Sequence, residues 1–255
     1  MHGPNRSSEV YYEARGRGRP FFLLHASPSD HARAMAQVEP VFRDRRGWQR
    51  IYPDLPGHGR SPSSSRIRDM DDYLAAVLDF VDERSGGERF ALGGISFGAY
   101  LALAVARKRR ARMDGLLLSV PEVHHSPAED RADRAWRTPS TQTPRRWSHG
   151  LPPYREDTDW LEALPFRDVS VSLYRTAPEF GAPALFLLGR QDAPFRYRAY
   201  ARVLPGFPHA TLALLDGAGH HLWWEKPEIA RSLVRDWLDR VERYANRRNS
   251  RGAGK

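Results

Sequence analysis

Apolar residues in this chain gather into short runs parted by turn-forming segments, and elsewhere they recur at helical spacing. Val10–Ala14 alternates and leads through Arg15-Gly16-Arg17-Gly18-Arg19-Pro20 into the run Phe21-Phe22-Leu23-Leu24. That pattern predicts two strands joined by a tight glycine-rich connection. Trp48–Tyr52 is a further run, stopped by Pro53-Asp54-Leu55-Pro56-Gly57. Over Asp69–Arg84 the apolar positions Met70, Tyr73, Leu74, Val77, Leu78 and Val81 fall on one helical face. Arg89–Gly94 reads as a strand. Phe97–Arg110 reads as a helix that is apolar nearly all round, and such a helix is buried on most sides. Gly115–Val120, apolar save for Ser119, and Ala184–Leu188 read as interior strands of a parallel sheet covered on both faces. Thr211–Leu215 is one more strand. A last helix starts at Pro227 and carries Ile229, Leu233, Trp237 and Val241 at four-residue steps.

Strands thus alternate with helices, which predicts an α/β domain with a mostly parallel central sheet flanked by helices. One stretch breaks the rhythm. Between Pro121 and Pro178 lie six prolines and no long periodic helix. Residues 122–182 are therefore expected to form a short cap inserted between two core strands. The core would comprise residues 1–121 and 183–245. Residues 246–255, basic and glycine-containing, are expected to be a disordered tail.

Composition narrows the functional classes. The 255 residues include no cysteine, which excludes a disulfide scaffold, a thiolate metal site and a cysteine nucleophile. Lys and Arg outnumber Asp and Glu by 40 to 31, a net charge of +9 that raises the question of nucleic acid. The basic residues are nearly all arginine, the lysines being Lys108, Lys226 and Lys255, and they are scattered along the chain. A compositional bias accounts for that spread, and no nucleic-acid partner is expected. No window approaches the roughly 18 consecutive apolar residues of a membrane span. The basic N-terminal residues are not followed by an apolar stretch, so no secretory signal is expected and the reading is cytoplasmic.

The strongest chemical signal is Gly94-Ile95-Ser96-Phe97-Gly98, placed between a strand and a helix. In that setting Ser96 sits on a sharp turn that closes only if the residues two before and two after it are tiny. A serine hydroxyl is a poor nucleophile until a base takes its proton. Among ten histidines, His220 stands after the strand Thr211–Leu215 and the turn Asp216-Gly217-Ala218-Gly219, where a loop can carry it over the sheet edge. It is preferred to its neighbour His221. Asp192, at the end of the Ala184–Leu188 strand, is the expected acid that orients the base, with Glu122 as the competitor. Asp54 and Asp216 read as turn residues.

Taken together these motifs resemble the α/β-hydrolase superfamily over about Val10 to Tyr244. Leu23-Leu24-His25-Ala26-Ser27-Pro28 is similar to that family's oxyanion loop, and Asp54-Leu55-Pro56-Gly57-His58-Gly59-Arg60-Ser61 to its D-x-x-G-x-G-x-S turn. Gly189-Arg190-Gln191-Asp192 is similar to its acid strand end, and Gly219-His220 through Pro227-Glu228 to its histidine loop. The resemblance implies an oxyanion hole built from the backbone N–H groups of Ser27 and Phe97. Ala26 departs from the usual glycine, and its Cβ could demand a different backbone angle. A serine at position 96 sets the chain apart from the haloalkane dehalogenase and epoxide hydrolase branches, which use aspartate there.

Phe195, Trp136 and Trp223 are candidate walls of the substrate pocket, although Trp223 and Trp224 serve equally well as packing for the last helix. What the resemblance implies is a cofactor-free serine hydrolase of the carboxylesterase type, acting on a small apolar ester or related carbonyl substrate. A carbon–carbon bond hydrolase on dienoate-type ketones uses the same triad, and a non-catalytic binding protein on the same fold is the third reading. No metal, cofactor or membrane partner is expected, and the oligomeric state stays open.

Overall fold

The structure is a computed structural model and describes residues 10–121, 155–164, 179–192 and 203–252. Its strands are β1 (Tyr12–Arg15), β2 (Arg19–Leu24), β3 (Trp48–Pro53), β4 (Phe90–Ile95), β5 (Met113–Ser119), β6 (Ala184–Gly189) and β7 (Ala210–Leu215). They form a single seven-stranded sheet in the order β1-β3-β2-β4-β5-β6-β7. Only β1 runs antiparallel, against β3; every other neighbour is parallel. The mostly parallel α/β sheet expected from the sequence is the fold observed.

Helices cover both faces, which explains the unbroken apolar runs. Along β2, Phe22 and Leu24 pack on one side with α2 (Met70–Ser85) and α3 (Phe97–Arg109), while Phe21 and Leu23 pack on the other. The second side is covered by α1 (His31–Val38) and by α6 (Pro227–Gly252), the long C-terminal helix. Period-two alternation in a strand with two buried faces leaves no polar position to mark it. Among the described residues the further α-helices are α4 (Thr158–Ala163) and α5 (Leu222–Glu225).

Three boundaries differ from the sequence reading. Helix α1 is not among the elements expected from the sequence, because its buried face of His31, Ala34 and Val38 spans two turns and holds one large apolar residue; Asp30 caps it by accepting from the Arg33 N–H. Strand β5 starts at Met113, since Asp114 is a buried carboxylate that takes a 2.7 Å ion pair from Arg89. The C-terminal helix continues to Gly252, so residues 246–252 of the stretch expected to be a disordered tail are helical. No proline or glycine interrupts that stretch, and Arg248 lies over the Tyr244 ring 5.9 Å from its centroid. Of the expected cap, only residues 155–164 and 179–182 fall within the described residues.

Connectivity places the site. From β2 the chain moves outward to β3 and then returns to the other side of β2 as β4. Ligands in open α/β sheets bind beyond the carboxyl ends of the strands at such a reversal. The loop after β2 and the turn after β4 therefore face one crevice.

Beside it, Asp54 follows β3 and is fully buried. It accepts from the His31 N–H, from His31 Nδ1 and from the Arg60 N–H, each at 2.8 Å. Burial would push the Asp54 carboxyl up, yet the bonds from His31 and Arg60 outweigh it and hold it below its ordinary 3.8. Burial would likewise lower His31, but the bond to Asp54 and the charges of Asp54, Asp30 and Glu13 raise it above 6.5. A raised folded value gives stability that is full below the unfolded pKa and is lost as pH rises through the folded one. The Asp54 share is lost as pH falls through its own depressed value. His31→Gln is therefore expected to destabilise the protein by about 2 kcal/mol under mildly acidic conditions. The difference should shrink as pH rises past 6.5 and through the raised folded value of His31, read from urea midpoints of both proteins across pH. A difference that grows with pH would contradict the pairing.

Candidate active site

Strand β4 ends in a sharp elbow. Ser96 has φ 52° and ψ −116°, a conformation that non-glycine residues hold only when their surroundings enforce it. Here the Ser96 N–H donates to the Ser119 carbonyl on β5 at 2.9 Å, and the Ser96 carbonyl accepts from Ala99 and Tyr100 in the first turn of α3. Gly94 and Gly98 are required by contact: a Cβ at Gly94 would overlap the Gly98 carbonyl, and one at Gly98 would overlap the carbonyls of Leu24 and His25. The second contact also presses the elbow against the loop after β2. Ser96 is 6% exposed and faces the crevice end of the sheet.

The loops after β6 and β7 bring the other two groups to it. Gln191 ties those loops together: its N–H donates to the Ala218 carbonyl, and its side chain bonds the Ala218 N–H and Asp216. Glu225, at the end of α5, accepts from the Gly219 N–H at 2.6 Å. Within this frame His220 Nδ1 lies 3.0 and 3.1 Å from the two Asp192 carboxylate oxygens, and His220 Nε2 lies 2.9 Å from Ser96 Oγ. A carboxylate only accepts, so Nδ1 carries the proton and the Nε2 lone pair is directed at the serine hydroxyl. Asp192 is nearly enclosed while His220 is about a third exposed, which leaves the base reachable from the crevice.

The residues singled out from the sequence thus fall into separate groups. Ser96, His220 and Asp192 meet. His221 packs edge-on to His220 with ring centroids 5.8 Å apart, and burial followed by the nearness of His220 lowers its pKa. Asp216 is an exposed turn residue bonded to Gln191. Phe97 opens α3 at the crevice and packs against Tyr73 and Tyr100. Trp223 is 2% exposed among the core residues beneath α6, and its indole N–H donates to Ser119 Oγ at 2.9 Å, so it packs that helix onto the sheet. Glu122, Trp136 and Phe195 lie outside the described residues.

On the opposite wall stands the His25–Ser27 loop. His25 Nδ1 donates to the Ala26 carbonyl at 2.6 Å, and its Nε2 accepts from the Leu55 N–H at 2.8 Å. Burial, then the adjacent His58, push His25 down to about 3, so it stays a neutral strut between the loops after β2 and β3. Ala26 is not among the described residues with positive φ, so its methyl group imposes no backbone penalty. Sequence reasoning missed the partners of Ser27. These are His58, in the turn after β3, and Glu156, from the stretch expected to be a cap. His58 fills a variable position of the Asp54–Ser61 turn, and Glu156 stands in no motif. Among the described residues no cluster of three or more His, Asp or Glu side chains is arranged to hold a metal. Nor is any described helix long and apolar enough to cross a membrane.

A family model described as "Alpha/beta hydrolase family" matches residues 21–231, from β2 into the C-terminal helix. The chain belongs to the α/β-hydrolase family. This hydrolase is 24% identical over 269 aligned residues to the 2-hydroxy-6-oxononadienedioate/2-hydroxy-6-oxononatrienedioate hydrolase 2 of Pseudomonas putida, covering 90% of this chain and 91% of that protein. An α/β superfamily hydrolase from Oenococcus oeni PSU-1 superposes with a TM-score of 0.75 at 22% identity, over 92% of this chain and 97% of the other. The esterase EaEST of Exiguobacterium antarcticum superposes with a TM-score of 0.72 at 18% identity, over 90% and 95%. At these identities the solved structures share its fold.

Proposed function

We propose that this hydrolase is a cofactor-independent serine hydrolase that cleaves an ester or related carbonyl bond of a small apolar substrate through an acyl-enzyme. The observation that carries the reading is the 2.9 Å approach of His220 Nε2 to Ser96 Oγ, with Asp192 bonded to the other ring nitrogen. Ser96 Oγ attacks the carbonyl carbon as His220 takes its proton, and Asp192 stabilises the imidazolium. The carbonyl oxygen gains charge only in that tetrahedral state, where the N–H groups of Phe97 and Ser27 face it; one such donor is worth about 3–4 kcal/mol. Collapse breaks the bond to the leaving alcohol, which takes the proton from His220. Water repeats the cycle on the acyl-serine, returning the proton to Ser96 and releasing the acid.

A second reading has one observation in its favour. The relative from Pseudomonas putida, aligned over nine-tenths of this chain, is named for hydrolysing an oxo-dienedioate. A carbon–carbon bond hydrolase on such vinylogous ketones would use the same three residues. Esterases of the same fold align over 91% and 90% of the chain and that relative over 90%, so the assays below decide between the two bonds. The experiment incubates the folded wild-type protein with a fluorophosphonate probe, then assays short- and long-chain aryl esters beside vinylogous diketones. Labelling of one serine with turnover of short aryl esters is expected. Labelling with turnover of the diketones alone would move the assignment to carbon–carbon cleavage, and a folded but unlabelled protein would leave only the non-catalytic binding reading.

A further inference from the structure

Residues 155–157 of the cap stretch are fastened to the turn after β3, directly behind the oxyanion loop. The Gly59 N–H donates to the Arg155 carbonyl at 2.7 Å and the Asp157 N–H to the Gly57 carbonyl at 2.8 Å, so His58 and Glu156 pair as a short antiparallel bridge. Trp160 of α4 lies on Gly57, where a Cβ would strike the indole, and approaches the buried Tyr73 with ring centroids 6.3 Å apart. Backbone and side chain thus hold the segment at one place on the core.

The bridge puts Glu156 where its carboxylate reaches Ser27. Ser27 Oγ donates to Glu156 Oε1 at 2.6 Å, and His58 Nε2 lies 3.1 Å from both that oxygen and Ser27 Oγ. His58 Nδ1 faces the Pro56 carbonyl at 3.0 Å. Nδ1 of His58 thus faces the Pro56 carbonyl and Nε2 the Glu156 carboxylate, which fixes the ring between the two. His25 packs edge-on against the same ring, its centroid 5.0 Å away, with its own nitrogens already bonded to the Ala26 carbonyl and the Leu55 N–H. The one hydroxyl proton of Ser27 goes to Glu156, and the side chain has a single direction left to it.

We propose that Glu156 is a positioning residue: it grips Ser27 Oγ, and so aims the Ser27 N–H at the oxygen that becomes charged in the reaction. Docking of the cap segment is then a condition for turnover, because the group that orients the oxyanion donor is carried by the cap. The inference rests on the serine-hydrolase reading above. Its distinguishing consequence is that Glu156 and Ser27 Oγ act as one unit, so their removal should not be additive.

The test compares Glu156→Ala, Ser27→Ala, the double variant and Glu156→Gln, all by kcat, KM and rate of fluorophosphonate labelling. Ser27→Ala keeps the backbone donor and the Glu156–His58 pair intact and removes only the bond. Each alanine variant is expected to lower kcat and the labelling rate about 10- to 100-fold with KM nearly unchanged, the scale of a small misplacement in an active site. The double variant should be no slower than the slower single one. Glu156→Gln, which keeps an oxygen for the Ser27 hydroxyl, should recover most of the loss. Should Glu156→Ala fail to fold, Ser27→Ala and Glu156→Gln decide alone. Wild-type kcat in Ser27→Ala, multiplying losses in the double variant, or a glutamine variant as slow as the alanine one would each overturn the proposal. A wild-type protein that takes no label overturns the underlying hydrolase reading instead, so the two failures are distinct.

Discussion

Replacing Ser96 by alanine is expected to abolish fluorophosphonate labelling and to lower kcat by about 10⁴- to 10⁶-fold, as loss of the nucleophile does where serine and base act as a unit. The argument is geometric. Ser96 Oγ is the oxygen on the elbow that faces His220 Nε2, and alanine leaves the elbow's other determinants untouched: Gly94, Gly98, and the bond from the residue-96 N–H to Ser119. Alanine can also take the same strained φ at no greater steric cost than serine. The variant should therefore fold as the wild type does, and a coincident thermal melt would show it. Residual activity above the uncatalysed rate would come from the oxyanion donors and binding alone. Intact-protein mass after probe treatment is the direct readout. Undiminished labelling in Ser96→Ala would place the nucleophile elsewhere and end the proposed mechanism.

Sequence and structure agree most closely where local chemistry settles the conformation. The elbow was legible because a strand, a turn flanked by two glycines and an apolar helix each demand the same geometry, and the contacts at Gly94 and Gly98 give the reason. Strands β2 and β6 were legible because burial on both faces leaves an uninterrupted apolar run. Helix α1 was not, since its two turns bury only one large apolar residue, Val38, and are held by an aspartate cap and a histidine–aspartate pair. The start of β5 was hidden by Asp114, a charge that belongs in the strand only because Arg89 reaches it. Glu156 and Trp160 were invisible for a different reason: their partners are His58, Ser27, Gly57 and Tyr73, roughly 80 to 130 positions earlier in the chain.

Four of the arginines have a structural role. Arg50 pairs with Glu39, Arg45 with Asp239 and Glu242, and Arg109 and Arg112 share Asp82. These guanidinium groups tie together elements far apart in the chain, as Arg45 does with the C-terminal helix.

Asp192→Asn is expected to cost about 10⁴-fold in kcat while leaving the fold intact, the scale set by the loss of the orienting acid in a serine–histidine–acid triad. The Asp192 carboxylate offers His220 Nδ1 two acceptor oxygens and no donor, which fixes the ring as the tautomer with its lone pair toward Ser96. An asparagine of the same shape can turn its amide N–H toward Nδ1. The imidazole then carries its proton on Nε2, where it meets the serine hydroxyl donor to donor and has no lone pair to receive a proton. The carboxylate also stabilises the imidazolium that forms during attack, and the neutral amide removes that support. Because Asp192 is nearly enclosed, solvent screens little of its field, and the loss should persist at high salt. A variant that keeps more than about a tenth of wild-type kcat would mean that a different acid, Glu122 being the sequence's other candidate, orients the base. The size of the loss thus tests whether the 3.0 Å contact between Asp192 and His220 is the one that turnover uses.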